Sequence, residues 1–178
     1  MSKIVSPISP FGIPTNHKAS SLKDSANNVT LYTSSGPKYI PLSDIPQNSI
    51  KFFNSYKVLV SQTSAEHAGE PSKDGTYNVL TNTLRVLHPK EACTHSYILI
   101  GCFNNVNEAS NLYLYLKTKF ARFLLLLSLS SIHISMSSFY FVPLQDFTRP
   151  WTDADLYAKY HLTDEEIQFI ESMIKPMD

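Results

Sequence analysis

Val106-Asn107-Glu108-Ala109-Ser110-Asn111-Leu112-Tyr113-Leu114-Tyr115-Leu116-Lys117-Thr118-Lys119-Phe120-Ala121-Arg122-Phe123-Leu124-Leu125-Leu126-Leu127 is the stretch on which the fold turns. Within it Val106, Ala109, Leu112, Tyr113, Leu116, Phe120, Phe123, Leu124 and Leu127 recur at three- and four-residue intervals. That spacing puts them on one face of a helix of 3.6-residue period. Asn105 precedes the run and Glu108 stands three positions later, the arrangement that satisfies the first free amides of a helix. The spacing predicts one long helix over 106–127, the spine of the core.

Working outward, the segments on either side read as strands and loops. Residues 96–103 carry Tyr97-Ile98-Leu99-Ile100 before Gly101, and 56–61 carry Val58-Leu59-Val60, a β-branched apolar run that predicts a central strand. Shorter strands are predicted at 29–33, 39–41 and 84–87. Residues 1–36 are rich in Ser, Pro and Asn, and Pro7, Pro10 and Pro14 forbid a continuous helix there. Residues 62–75 are polar and lack helical periodicity, as expected of a functional or mobile loop. Downstream, the Ser-rich 128–138 leads to a predicted aromatic strand, Phe139-Tyr140-Phe141-Val142, ended by Pro143. Thr152 with Asp155, and Thr163 with Glu166, each offer a hydroxyl cap with an acid three residues on, so two short helices follow. In the second, Ile167, Ile170, Met173 and Ile174 form an apolar face that packs on this domain or on the rest of a larger protein. The expected fold is α+β: a mixed β-sheet packed on one long helix, with a body over 1–150 and a helical tail over 151–178.

At 178 residues, 43% hydrophobic and 17% charged, the chain suits a single globular domain with a proper core. Its longest apolar run, Phe123 to Leu127, falls far short of the roughly 20 residues that cross a bilayer. The start of the chain has no basic segment followed by an apolar one. A soluble, cytoplasmic protein is therefore expected. Cys93 and Cys102, nine positions apart, suggest neither a disulfide framework nor a metal site and read as two buried thiols. The net charge of zero hides a gradient. Residues 1–150 carry 13 Lys/Arg against 8 Asp/Glu, or +5, and residues 151–178 carry 2 against 7, or −5. A positive body suits phosphate on one side, and an acidic tail suits a protein neighbour on the other.

Catalytic patterns are scarce. The chain has no Gly-rich phosphate loop or His-Glu-x-x-His, and Glu66-His67-Ala68-Gly69-Glu70 offers one histidine where a zinc helix needs two. Asp74 and Glu91 could form a nuclease pair, but Ala92 and Cys93 follow Glu91 where an acid-x-Lys strand would place lysine. Asp153, Asp155, Asp164, Glu165 and Glu166 are accounted for by helix first turns. Neither a catalytic site, a metal nor a cofactor is expected within the chain. Three polar groups remain: Asn16, His17 and Lys18; Gln62, Thr63, Ser64, His67 and Lys73; and Ser130, Ser131, His133 and Ser135. Amides, hydroxyls and imidazoles bond to base edges while lysines meet phosphates. Each residue alone reads as a solvated loop position. Converging on one sheet, Asn16, Lys18, Gln62, Thr63, Ser64, His67, Lys73, Ser131 and His133 would form a DNA-binding surface. An enzyme fragment with nuclease residues and a protein-interaction domain docking through the acidic tail stand as alternatives.

Four stretches carry a resemblance: Ser6-Pro7-Ile8-Ser9-Pro10-Phe11-Gly12-Ile13-Pro14-Thr15-Asn16; Tyr56-Lys57-Val58-Leu59-Val60-Ser61; Cys93-Thr94-His95-Ser96-Tyr97-Ile98-Leu99-Ile100-Gly101; and Phe141-Val142-Pro143-Leu144-Gln145-Asp146-Phe147-Thr148-Arg149-Pro150-Trp151-Thr152. Over nearly its whole length the chain resembles the C-terminal region of bacterial adenine-specific methyltransferases of the fused restriction-modification type. The order of long helix, Ser-rich segment and Phe-Val-Pro-Leu is similar to that in the recognition halves of type I specificity subunits. In the fused family an upstream domain carries an Asn-Pro-Pro-Tyr motif and a glycine-bearing S-adenosylmethionine site, and neither occurs in this sequence. The resemblance thus implies a target-recognition domain whose partners are double-stranded DNA and an upstream methyltransferase domain that holds the cofactor. That domain would flip an adenine out of the duplex before methylating it.

Overall fold

The computed structural model describes residues 1–23, 28–64, 70–129 and 133–177. The fold is α+β, with two three-stranded sheets and five α-helices among these residues. In the first sheet β1 (Asn28–Thr33) lies between antiparallel β2 (Gly36–Pro41) and parallel β5 (Glu91–Cys93). In the second, β3 (Tyr56–Ser61) lies between β4 (Arg85–Leu87) and β6 (Tyr97–Phe103), both antiparallel to it. The expected single mixed sheet is thus two sheets, and the one that lies under α2 (Val106–Lys117) is the antiparallel one. The short β5 and the four-residue helix α1 (Ile50–Phe53) carry too little pattern for a sequence reading to find.

The β3 run reads as continuously apolar because both its faces are covered. Val58 and Val60, with Ile98 and Ile100 of β6, face the larger core beneath α2 (Val106–Lys117). Leu59, Leu87 and Leu99 face the other way, into a second core with Val29, Leu31, Ile40, Phe53, Phe11 and Ile13. The molecule is therefore layered as mixed sheet, antiparallel sheet and helices, with β3 central as its composition predicts. The proline-bearing N-terminal segment contributes to both cores, Val5 to one and Phe11 and Ile13 to the other.

The predicted long helix is two. At Thr118 the backbone is extended (φ −61, ψ 147), and α3 (Lys119–Leu126) starts anew. Thr118 Oγ1 accepts from the Ala121 amide at 3.2 Å and donates to the Tyr115 carbonyl at 2.7 Å. Apolar spacing continues across the break because it records which side chains are buried, not whether the backbone ladder is unbroken. The predicted strand over 139–142 is also absent: Met136–Phe139 is a 3-10 turn capped by Ser135 and Ser138. Phe139 and Val142 are fully buried while Tyr140 and Phe141 are exposed, a three-residue spacing that a strand's alternation cannot produce. The caps predicted at Asn105, Thr152 and Thr163 are all present. Helices α4 (Asp153–Lys159) and α5 (Asp164–Met173) send Leu156, Tyr157 and Ile170 into the larger core, joined by Ile174 just after α5, so the tail packs on this domain. Cys93 is buried as expected, whereas Cys102 is only half-buried. Among the described residues no helix is long and apolar enough to cross a membrane.

Candidate nucleic-acid interface

One end of the two sheets collects several of the polar residues. Thr33 ends β1, Cys93 ends β5, Ser61 ends β3 and Tyr97 begins β6; Tyr32 is in register with Cys93, and Ser61 with Tyr97. Backbone hydrogen bonds then link the segments leaving this end. The His95 amide donates to Ile13 O at 3.0 Å, the Gln62 amide to Ser96 O at 2.9 Å, and the Ile134 amide to Gln62 O at 2.7 Å. Thr63 and His133 form an antiparallel bridge. The N-terminal segment, the β5–β6 turn, the β3 exit and the segment after α3 are therefore stitched side by side. Thr63, His95 and His133 lie exposed along this edge, and Asn16 lies exposed three residues after Ile13.

The remaining predicted residues divide. Gln62 is half-buried and its Nε2 donates to Tyr97 O at 3.3 Å, so it braces the edge from within. Ser64 is buried behind it. His17 turns away to Asp44, with Nε2 and Oδ2 3.0 Å apart, and Lys18 follows it along β2, where Ser20 pairs with Tyr39. Lys73 sits in a turn closed by the Ser72 amide on Thr76 O, leading to Tyr77, whose backbone pairs with Met173 and Lys175 of the tail. The structure does not bring Lys18 and Lys73 to the edge. His67, Ser130 and Ser131 lie outside the described residues.

Two residues missed in the sequence belong here. His95 projects from the turn joining β5 to β6; its signal is the polar triplet Thr94-His95-Ser96 between apolar runs. Arg85, exposed on β4 opposite Leu59, holds its guanidinium 5.1 Å from the Tyr32 ring centre and supplies a cation near the edge. A second cationic surface, a cleft of about 580 Å³ at the opposite strand ends, is lined by Lys23, Asn28, Asn54, His88, Lys90 and Glu91. Glu91 there accepts from the His88 amide at 2.7 Å and from the Tyr32 hydroxyl at 3.3 Å. Asp74 instead accepts from the Thr76 hydroxyl and amide, which hold its carboxyl below the usual range. Among the described residues no three His, Cys, Asp or Glu side chains gather to hold a metal ion. What this edge offers chemically is hydroxyl, imidazole and amide hydrogen bonding beside a guanidinium. No protein family, curated protein or solved structure matches this chain.

Proposed function

We propose that the chain is the DNA target-recognition module of a restriction-modification adenine methyltransferase and that it selects the site for chemistry carried out by an upstream domain. The observation that carries this reading is the hydrogen-bonded convergence of Thr63, His95 and His133, from three separate segments, on one exposed edge. Hydroxyl and imidazole groups held on a braced edge suit base edges in a groove, and Arg85 suits a neighbouring phosphate. S-adenosylmethionine belongs to the upstream domain, since the chain lacks both the motif and the glycine-bearing site that the resemblance associates with it.

The test is made in the fused enzyme, with methylation mapped on a library of duplexes. Thr63→Ala with His133→Ala relaxes sequence preference, each lost hydrogen bond to a base edge removing about 1 kcal/mol of discrimination. Arg85→Ala weakens binding to all duplexes alike and lowers the slope of log K against log salt by about 0.9. An unchanged methylation pattern in the double variant removes this edge from the reading surface.

A further inference from the structure

An apolar groove between α3 and α5 has no part in the DNA reading. It measures about 490 Å³ and is lined by Phe120, Phe123, Leu124, Phe169 and Ile170, with Glu165 and Glu166 beside them. Phe169 is 54% exposed, its ring meeting Phe123 edge-on at 5.9 Å between centres. Open apolar grooves with aromatic walls are unusual on surfaces that meet only water. The charge around this one narrows its occupant. Asp164, Glu165 and Glu166 fill the first turn of α5, and among the described residues neither Glu165 nor Glu166 makes an ion pair. Lys119, the nearby cation, is taken by Glu171 at 2.5 Å. Residues 151–178 carry −5 overall. Such a rim repels phosphate, and docking of a second copy through the same face would set like carboxylates against each other.

We propose that the α3–α5 groove docks an amphipathic helix with basic flanks from a protein partner. Its apolar anchors enter between Phe123 and Phe169, and its lysines or arginines meet Glu165 and Glu166. The assignment does not depend on the DNA reading, because the groove shares no residue with the Thr63, His95 and His133 edge. It is tested by fluorescence anisotropy with the purified chain and a labelled synthetic helix, leucine at helical spacing on one face and lysine on the flanks. A second peptide has glutamate in place of lysine. The lysine peptide binds, more weakly as salt rises, and the glutamate peptide does not. Phe169→Ala weakens binding about tenfold, and Glu165→Lys weakens it severalfold, while the thermal unfolding of both variants stays close to the parent's. The proposal is overturned if the lysine peptide does not bind, if both peptides bind equally, or if Phe169→Ala leaves binding unchanged. Displacement of the peptide by duplex DNA, or self-association abolished by Phe169→Ala, also overturns it by assigning the groove to another occupant.

Discussion

Lys57 is a lysine in the middle of a sheet, fully buried, with Nζ donating to His88 O at 2.7 Å. It sits where Tyr56 pairs with Phe103 but Val58 with Ile100, so this one residue faces both Gly101 and Cys102 in a β-bulge. Burial lowers its amine from 10.5 to about 8, and the nearby Glu91, Cys93 and Cys102 oppose that only in part. Between pH 8 and 10.5 the unfolded chain binds the proton that the folded one has released, so stability rises with pH through that window. Below pH 8 the penalty is fully present. Lys57→Met should therefore stabilise the protein by about 2 kcal/mol at pH 7, after the lost hydrogen bond is counted. The gain should fade by pH 10.5, as read from urea unfolding at several pH values. Across the bulge Gly101 has φ +78, and an added Cβ would overlap the Phe103 ring at Cε2. Gly101→Ala combines that overlap with a left-handed backbone and should cost about 1–3 kcal/mol in the same assay.

At the scale of elements, the break at Thr118 is completed by groups distant in sequence. Asp153, the first residue of α4, accepts from the Lys119 amide at 3.0 Å and the Phe120 amide at 2.8 Å, the open donors at the start of α3. Arg122, buried, sends Nε to the carbonyl of Lys117 at the end of α2 and to that of Thr118, which also accepts the Arg122 amide, and Nη1 to Lys175 O at 2.6 Å. Its guanidinium is lowered to about 10 by burial, against the opposing pull of Asp153 and Tyr157. Asp153→Ala should lower stability by about 1–2 kcal/mol, the range of a lost helix cap, with urea midpoints as the measure. A midpoint equal to the parent's would mean that the α3 amides are satisfied without it. Arg122→Met should release the last residues, raising hydrogen exchange at the Lys175 amide, which donates to Tyr77 O, far more than at the Leu99 amide.

For the whole molecule, the −5 segment is part of the body's core. Trp151, Leu156, Tyr157, Ile170 and Ile174 are buried with the α2 and β3 side chains, and Tyr77 pairs with Ile174. Removing residues 163–178 should uncover Phe120 and Leu125, abolish a cooperative thermal transition and cause aggregation, as followed by circular dichroism and light scattering. A truncated chain that melts cooperatively would show the tail to be an accessory. The composition that separates a positive body from an acidic end thus describes two surfaces of one folded unit: a polar edge beside Arg85 and an acidic, apolar groove on α5.

The strands at 56–61 and 97–103, the helical content of 106–127 and the caps at Asn105, Thr152 and Thr163 were all determined by the sequence alone. In each, local backbone hydrogen bonding and the burial period point the same way. Thr63 and His133 were legible as polar loop residues, but not as neighbours. Tertiary structure decided that pairing, the split of one sheet into two, the break at Thr118 and the burial of Lys57. Each of these depends on partners many residues away: Gln62 on Ile134, Leu59 on Val29 through the shared core, Phe120 on Asp153, and Lys57 on His88. Spacing along the chain reports which faces must leave water. Which distant group meets an open amide, carbonyl or ammonium is settled only when those faces have packed.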